Sequence, residues 1–270
     1  MDPVPKGLRD TDRAFLDRLV SRAGDDERVT ALMLGGSHAT GTADEHSDLD
    51  LYLITHDERF DSFRDGRHAF MHQLGDAVFL EEHENFGFLM LLFMYSDGVR
   101  GEIALTPARD VSEVHGGPHI TLLDKDGVLH GRQFPARPIN ARDRRAIAAH
   151  MLIWFWYDRW LLDVALARGT LWTAHYYLER CRQTCIDLGR LRARPDLWPS
   201  GYEKAEHVID AATLDTLAST VVALEADAMR DAAASVTQIY LELGRQVADL
   251  HGATFPDRLV NTVTAHLNSR

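Results

Sequence analysis

Between two short apolar runs, 29–34 and 51–54, the chain reads Gly35-Gly36-Ser37-His38-Ala39-Thr40-Gly41-Thr42-Ala43-Asp44-Glu45-His46-Ser47-Asp48-Leu49-Asp50. The first run, ended by two glycines, has the length and punctuation of a buried strand. The second, opened by Asp50, reads as another strand over 50–54. Residues two apart on an extended chain point the same way, so Asp48 and Asp50 can aim at one spot. Two carboxylates held together repel unless a cation stands between them. Hard oxygen ligands in a small site suit Mg2+, which keeps waters and substrate phosphates as its other ligands. Gly35 and Gly36 let the main chain approach a phosphate, and Ser37 adds a hydroxyl donor. A helix after them would offer free N–H groups to an anion. Each half alone is weak, since Gly-Gly-Ser often marks only a turn and Asp-x-Asp a solvated strand end. Together, eleven residues apart from Ser37 to Asp48 and each bounded by an apolar run, they point to a nucleotide–Mg2+ site.

The rest of the chain is expected to build a sheet and then a helical region. Phe15, Leu16, Leu19 and Val20 have the spacing of a helix over 11–23. Residues 56–74 are read as helical and 77–80 as a short strand. The runs 88–95 and 99–105, separated by Ser96-Asp97-Gly98, read as two strands with a tight turn. A last strand over 120–123 precedes Asp124-Lys125-Asp126-Gly127, and 135–138 reads as a linker. Beyond it, 141–168, 171–192, 213–243 and 244–250 are rich in Ala, Leu and Arg with helical periodicity. The expectation is an α+β chain: a catalytic domain of mixed sheet and helices over 1–138, then an all-helical domain over 139–270.

The formal net charge of −12 argues against a nucleic-acid surface. It suits a cationic partner as well as simple solubility. The two cysteines, Cys181 and Cys185, fall on one helix face. They match no disulfide framework or zinc site, are read as packed core thiols, and fit a cytoplasmic protein. The N-terminal residues lack an apolar leader run, and the longest apolar stretch, around 86–95, is too short to span a bilayer. No membrane or nucleic-acid partner is expected, and the chain is read as a monomer or a homodimer, with no feature that supports the dimer.

Gly36-Ser37, a spacer, and then Asp48-x-Asp50 opening a strand resemble the nucleotidyltransferase fold of the DNA polymerase beta superfamily. The resemblance implies a third carboxylate on a later strand, and Glu102 in Val99-Arg-Gly-Glu-Ile-Ala-Leu105 stands in that place. The stretches "FLMLLFMYSDGVRGEIALTP" and "LLDKDGVL" are closer still to bacterial antibiotic nucleotidyltransferases, the streptomycin 6-adenylyltransferase and lincosamide groups above all. That likeness covers roughly the first 130 residues; the helical half shares only architecture, length and scattered positions. Those families more often carry Asp at the third acid, which leaves Glu102 as base, metal ligand or both.

What the resemblance implies is transfer of AMP from ATP to a small-molecule hydroxyl, with pyrophosphate leaving. Asp48, Asp50 and Glu102 would be catalytic and hold Mg2+, and Gly35, Gly36 and Ser37 would cradle the phosphates. The triphosphate also needs cations: Lys204, expected to open a helix where related enzymes place a phosphate-binding lysine, and Arg180, with Arg182 beside it. His38 and His46 flank the site by sequence. The aromatic group Trp154-Phe155-Trp156-Tyr157 and Trp160, with Trp172, Tyr176 and Tyr177, reads first as core, and second as an acceptor pocket wall. Asp158, Asp163 and Glu179 around it would then pair with the ammonium groups of a cationic antibiotic. The alternatives are a lincosamide, a protein or a metabolite acceptor, or a toxin–antitoxin component, for which Arg145 and His150 are the only hint.

Overall fold

The apolar runs that flank the glycines pair directly with each other. In the computed structural model, which describes residues 8–84, 87–136 and 138–268, they form β1 (Val29–Leu34) and its antiparallel partner β2 (Leu49–Thr55). The remaining strands are β3 (Ala77–His83), β4 (Leu89–Tyr95), β5 (Arg100–Pro107) and β6 (Ile120–Asp124). They make one six-stranded sheet in the order β3-β4-β5-β2-β1-β6. Every neighbouring pair is antiparallel except β2 and β5. Parallel partners need a long crossover, and here it contains α3 (Phe60–His72), β3 and β4. The turn between β4 and β5 is tight, closed by Gly98 N–H to the Tyr95 carbonyl at 2.9 Å, with Gly98 at φ 83°.

The two faces of this sheet differ. Alternate residues Leu49, Leu51 and Leu53 of β2, Leu91 and Phe93 of β4, and Ile103 and Leu105 of β5 enter the larger core. There they meet Phe15 and Leu19 of α1 (Asp10–Asp25) and Phe63 and Phe70 of α3. The opposite face carries only a small core of Ala31, Met33, Ile54, Val111, Leu129 and Phe134. The even positions of β2 and β5, Asp50, Tyr52 and Glu102, belong to that thinner side and are half-buried. The Asp124-Lys125-Asp126-Gly127 segment is a fastener. Asp124 caps its own turn by accepting from Val128 and Leu129 N–H at 2.7 and 3.0 Å. Lys125 Nζ reaches the Asp26 carbonyl at 2.9 Å, and Asp126 accepts the Thr30 hydroxyl. The end of β6 is thereby tied to the start of β1.

Chain contacts divide the molecule into two compact units, Met1–Arg137 and Pro138–Arg270. The second is helical. The short connection between α5 (Ala141–Ala167) and α6 (Leu171–Ala193) makes them neighbours, and α8 (Ala226–His251) packs on both. Phe155 stacks on Tyr240 at 3.8 Å, and Tyr240 donates to the Leu152 carbonyl at 2.6 Å. Among the described residues no helix is long and apolar enough to cross a membrane.

Two helical expectations are corrected, and one helix is added. The helix expected over 213–243 is interrupted: α7 (Ala211–Ala218) ends, and α8 starts only at Ala226. The buried Arg182 explains the break, because its guanidinium donates to the Thr220 carbonyl at 2.7 Å and the Thr220 hydroxyl at 2.9 Å, holding that backbone out of a helix. The separate segment over 244–250 is instead the continuation of α8, which runs through Gly244. A Cβ there would stand 3.0 Å from Leu152 and 3.1 Å from Phe255. The added helix is α9 (Asp257–Asn268), where Leu259, Val260 and Val263 have helical spacing.

Gly101 governs the parallel pair. A Cβ on it would fall 2.2 Å from the Leu49 carbonyl oxygen and 2.9 Å from the Phe93 ring. Gly101→Ala is expected to destabilise the protein by about 1–3 kcal/mol, as overpacking does, read by urea denaturation. The matched control is Gly24→Ala in α1, where a Cβ meets nothing within 4 Å. It should be neutral or stabilise by up to about 1 kcal/mol.

Candidate active site

β1 ends at Leu34, and the chain turns at once onto β2. Gly35 N–H donates to the Asp50 carbonyl at 2.8 Å. Gly36 follows at φ 55°, a conformation side chains disfavour, and a Cβ on it would stand 1.6 Å from Asp50 Oδ2. The main chain of Gly36 therefore lies against the Asp50 carboxylate. A single helical turn, α2 (Gly36–Thr40), carries the half-buried Ser37 and ends at Gly41, φ 75°. The spacer then folds into an Asx turn: Asp44 accepts from His46 N–H at 2.9 Å and from the Ser47 hydroxyl at 3.2 Å. Arg100 holds the His46 carbonyl, which delivers the exposed Asp48 to the mouth of β2.

Glu102 arrives from the parallel strand. Asp50 and Glu102 are register partners, the step after Leu49 and Gly101. Neighbouring strands run about 4.8 Å apart, so the two acids stand side by side on one face. The charges are felt. The Glu102 carboxyl is pushed above its usual range, first by burial and then by Asp50 and Asp48. The Tyr52 phenol, two residues on from Asp50, is pushed up to about 12 by burial, with Asp50 and Glu102 adding to it.

Such crowding is what a divalent cation relieves, and the donor set is all hard oxygen. Among the described residues no three His, Cys, Asp or Glu side chains stand close enough to hold a metal ion unaided. Mg2+ is commonly bound by one or two carboxylates, with waters and substrate phosphates completing its shell. The acids present fit that pattern, and the lack of a side chain at Gly36 is what gives the Asp50 carboxylate its place there.

Three supporting residues escaped the sequence reading. Gly101 lets the pair of strands close. Tyr52 and His115 form the floor under Gly35, where a Cβ would stand 3.0 Å from the Tyr52 ring and 3.2 Å from the His115 ring. The two rings meet edge-on at 4.7 Å. His115 Nε2 lies 3.2 and 3.1 Å from the Gly117 and Pro118 carbonyls, so that nitrogen bears the hydrogen, and burial lowers the affinity of the ring for a second proton. Only tertiary contact identifies these three. His38 is buried, and among the described residues neither of its ring nitrogens has a hydrogen-bond partner, while His46 is exposed beside Glu45.

The remaining candidates belong to the second unit. Lys204 is exposed, adopts φ 51°, and opens only the single turn 205–207 rather than a helix, with Glu203 at 3.8 Å. Arg180 pairs with the buried Asp158 at 2.9 Å, and Glu179 pairs with Arg182. Two of the acids expected to be open to an acceptor are thus matched by arginines. The aromatic group divides: Phe155 and Trp156 are core, while Trp154, Tyr157, Trp172 and Tyr176 are exposed. Cys181 and Cys185 are buried, and burial pushes both thiols up. Arg145 and His150, five residues apart on α5, lie about 140° apart around the helix and do not share a face.

A family model described as streptomycin adenylyltransferase matches residues 9–270, and the chain belongs to that family. It is accordingly an enzyme of the adenylyltransferase kind. Among solved structures, it is similar to an aminoglycoside 6-adenyltransferase from Bacillus subtilis, with 16% identity, 97% of this chain and 98% of that chain covered, and a TM-score of 0.45. A nucleotidyltransferase-like protein from Exiguobacterium sibiricum matches at 11% identity, covering 88% and 77%, with a TM-score of 0.37. A CCA-adding enzyme matches at 10% identity, covering 96% and 92%, with a TM-score of 0.32. No curated protein matches the chain.

Two outcomes are expected. Gly36→Ala should push a methyl group onto the Asp50 carboxylate at a left-handed φ and destabilise the protein by about 1–3 kcal/mol, as overpacking does, read by urea denaturation. Glu102→Gln should alter stability with a defined pH sign. A carboxyl that holds its proton more tightly when folded favours folding below the unfolded pKa and loses that advantage as pH rises through the folded value. Ionised Glu102 is therefore a cost at pH 7, so Glu102→Gln should melt higher than wild type at pH 7, and the gap should close by pH 4. An equal gap at both pH values would contradict the electrostatic account.

Proposed function

We propose that the protein uses Mg2+ to transfer AMP from ATP to a hydroxyl of an aminoglycoside-type antibiotic, giving resistance. One observation carries this reading: Asp50 and Glu102 stand in register beneath the Gly35–Ser37 turn, in a chain of the streptomycin adenylyltransferase family. Streptomycin is a cationic sugar, and a chain of net charge −12 attracts such an acceptor.

The acceptor oxygen attacks the α-phosphorus, forming a P–O bond while the bond to the pyrophosphate oxygen breaks. The hydroxyl proton passes to Glu102, whose raised proton affinity suits a general base. Asp48 and Asp50 would hold the Mg2+. When bound, that ion stabilises the attacking and leaving oxygens together. The Gly36 N–H, at the start of the turn 36–40, and the Ser37 hydroxyl bind phosphate oxygens and fix the donor in line.

The test is incubation with α-labelled ATP, Mg2+, and a panel of aminoglycosides and lincosamides. Label on an aminoglycoside is expected; label on a lincosamide alone would move the acceptor class, and label on no drug would remove the antibiotic reading. Glu102→Gln should slow transfer by about 10²–10⁴-fold, the usual worth of a general base. Asp50→Asn should cost more, and appreciable turnover by folded Asp50→Asn protein would overturn the metal assignment.

A further inference from the structure

The line of acids continues past Glu102 to the edge of the sheet. Glu102 of β5 pairs with Leu92 of β4, and Leu92 pairs with Glu81 of β3. Paired residues of neighbouring strands share a face, so Asp50, Glu102, Leu92 and Glu81 form one row across four strands. Two strand spacings, about 10 Å, separate Glu81 from Glu102. The next row on that face is Arg100, Met94 and Phe79. The face is closed at one end and open at the other. Met90 and Ala104 are buried, Leu92 and Glu102 are half-buried, and Met94 is exposed. Phe79 and Met94 keep 45% and 43% of their surface in solvent, so this corner of the sheet is an uncovered apolar shelf beside Glu102.

The shelf carries a carboxylate ready for a partner. Glu81 is exposed, and among the described residues its side chain has no hydrogen bond or ion pair. Its neighbour Glu82, on the opposite face, is held by Arg67 at 2.6 and 2.7 Å. Arg100 is already engaged by the His46 carbonyl. Whatever covers this corner is therefore part apolar and part cationic. A second copy of the chain fits poorly. β3 is an edge strand, but its register is broken between Ala77 and Phe79. Two-fold pairing along it would also bring Asp76, Glu81 and Glu84 of both copies together, and bulges and like charges are what keep sheet edges apart. An amino sugar fits well, since its ring has apolar C–H faces and its substituents carry ammonium or guanidinium groups that pair with carboxylates.

The direction of attack selects the same corner. In an in-line displacement the entering and leaving oxygens stand on opposite sides of the phosphorus. With the donor phosphates at the Gly36–Ser37 turn, on the β1 side of Asp50, the acceptor enters from the side of β5, β4 and β3. We propose that Phe79, Leu92 and Met94 are the shelf on which the ring of the acceptor lies, and that Glu81 takes one of its cationic groups. The assignment rests on the AMP-transfer reading and deepens it by naming what selects a cationic sugar. The ring then presents a hydroxyl to Glu102. Its oxygen bonds to the α-phosphorus, its proton passes to Glu102, and the pyrophosphate leaves with the electron pair of the broken bond. Glu81 touches none of the reacting atoms; it sets which acceptor is held.

Calorimetric titration with streptomycin, in parallel with ATP and Mg2+, tests this on wild type, Glu81→Gln and Phe79→Ala. Both side chains are exposed, so folding is expected to stay intact, which thermal melts check. Each substitution should weaken streptomycin binding about three- to tenfold, the scale of one partly solvated charge pair or one ring contact, and leave ATP binding unchanged. In steady-state transfer each should raise the KM for streptomycin by a similar factor with little change in kcat. Glu27→Gln, which removes the same charge from the exposed turn before β1, should change neither. Unchanged streptomycin affinity in either shelf variant, or an equal loss in Glu27→Gln, would overturn the proposal. So would a wild-type protein that does not bind streptomycin. A wild-type dimer that Phe79→Ala splits, with streptomycin affinity unaltered, would give the shelf to a second copy instead. A protein that binds streptomycin through Glu81 and Phe79 but labels no drug would remove the transfer reading and leave the shelf standing.

Discussion

The parallel contact between β2 and β5 decides where the charge of this molecule sits. It is the one parallel pairing in the sheet, and it sets Asp50 opposite Glu102. A slip of one residue would turn Asp50 toward the leucine face and Leu51 outward, since side chains alternate along a strand. Two glycines hold the register from either side. Gly101 lets β5 approach the Leu49 carbonyl, and Gly36 lets the turn after β1 close on the Asp50 carboxylate. The crossover through α3, β3 and β4 then seals the large core behind the pair.

That arrangement separates stability from chemistry. The leucine-rich face, backed by α1 and α3, buries most of the apolar side chains of the first unit. The other face carries, among the described residues, a core of six buried hydrophobic residues and keeps the half-buried acids. Acids whose proximity raises the cost of ionisation destabilise a fold, so they are tolerated where little packing depends on them. The Tyr52–His115 pair fits the same logic. It fills the space under Gly35 with rings, while the one hydrogen-bonded imidazole nitrogen is satisfied by main-chain carbonyls rather than by the carboxylates.

How much of this could be read from the chain follows from how far apart the interacting residues are. The Gly35–Asp50 stretch is legible because its parts are local: an apolar run, a break, an acidic pair at period two. Glu102 lies some fifty residues on, and only a resemblance singled it out; its register with Asp50 emerges from the crossover. Gly101, Tyr52 and His115 carry no local signal, since each matters through a contact across strands. In the helical unit, periodicity finds α5 and α6 but not the end of α7, because the residue that breaks the helix is Arg182, some forty positions away. Asp158 and Glu179 look available in sequence for the same reason: their partners, Arg180 and Arg182, become visible only in three dimensions.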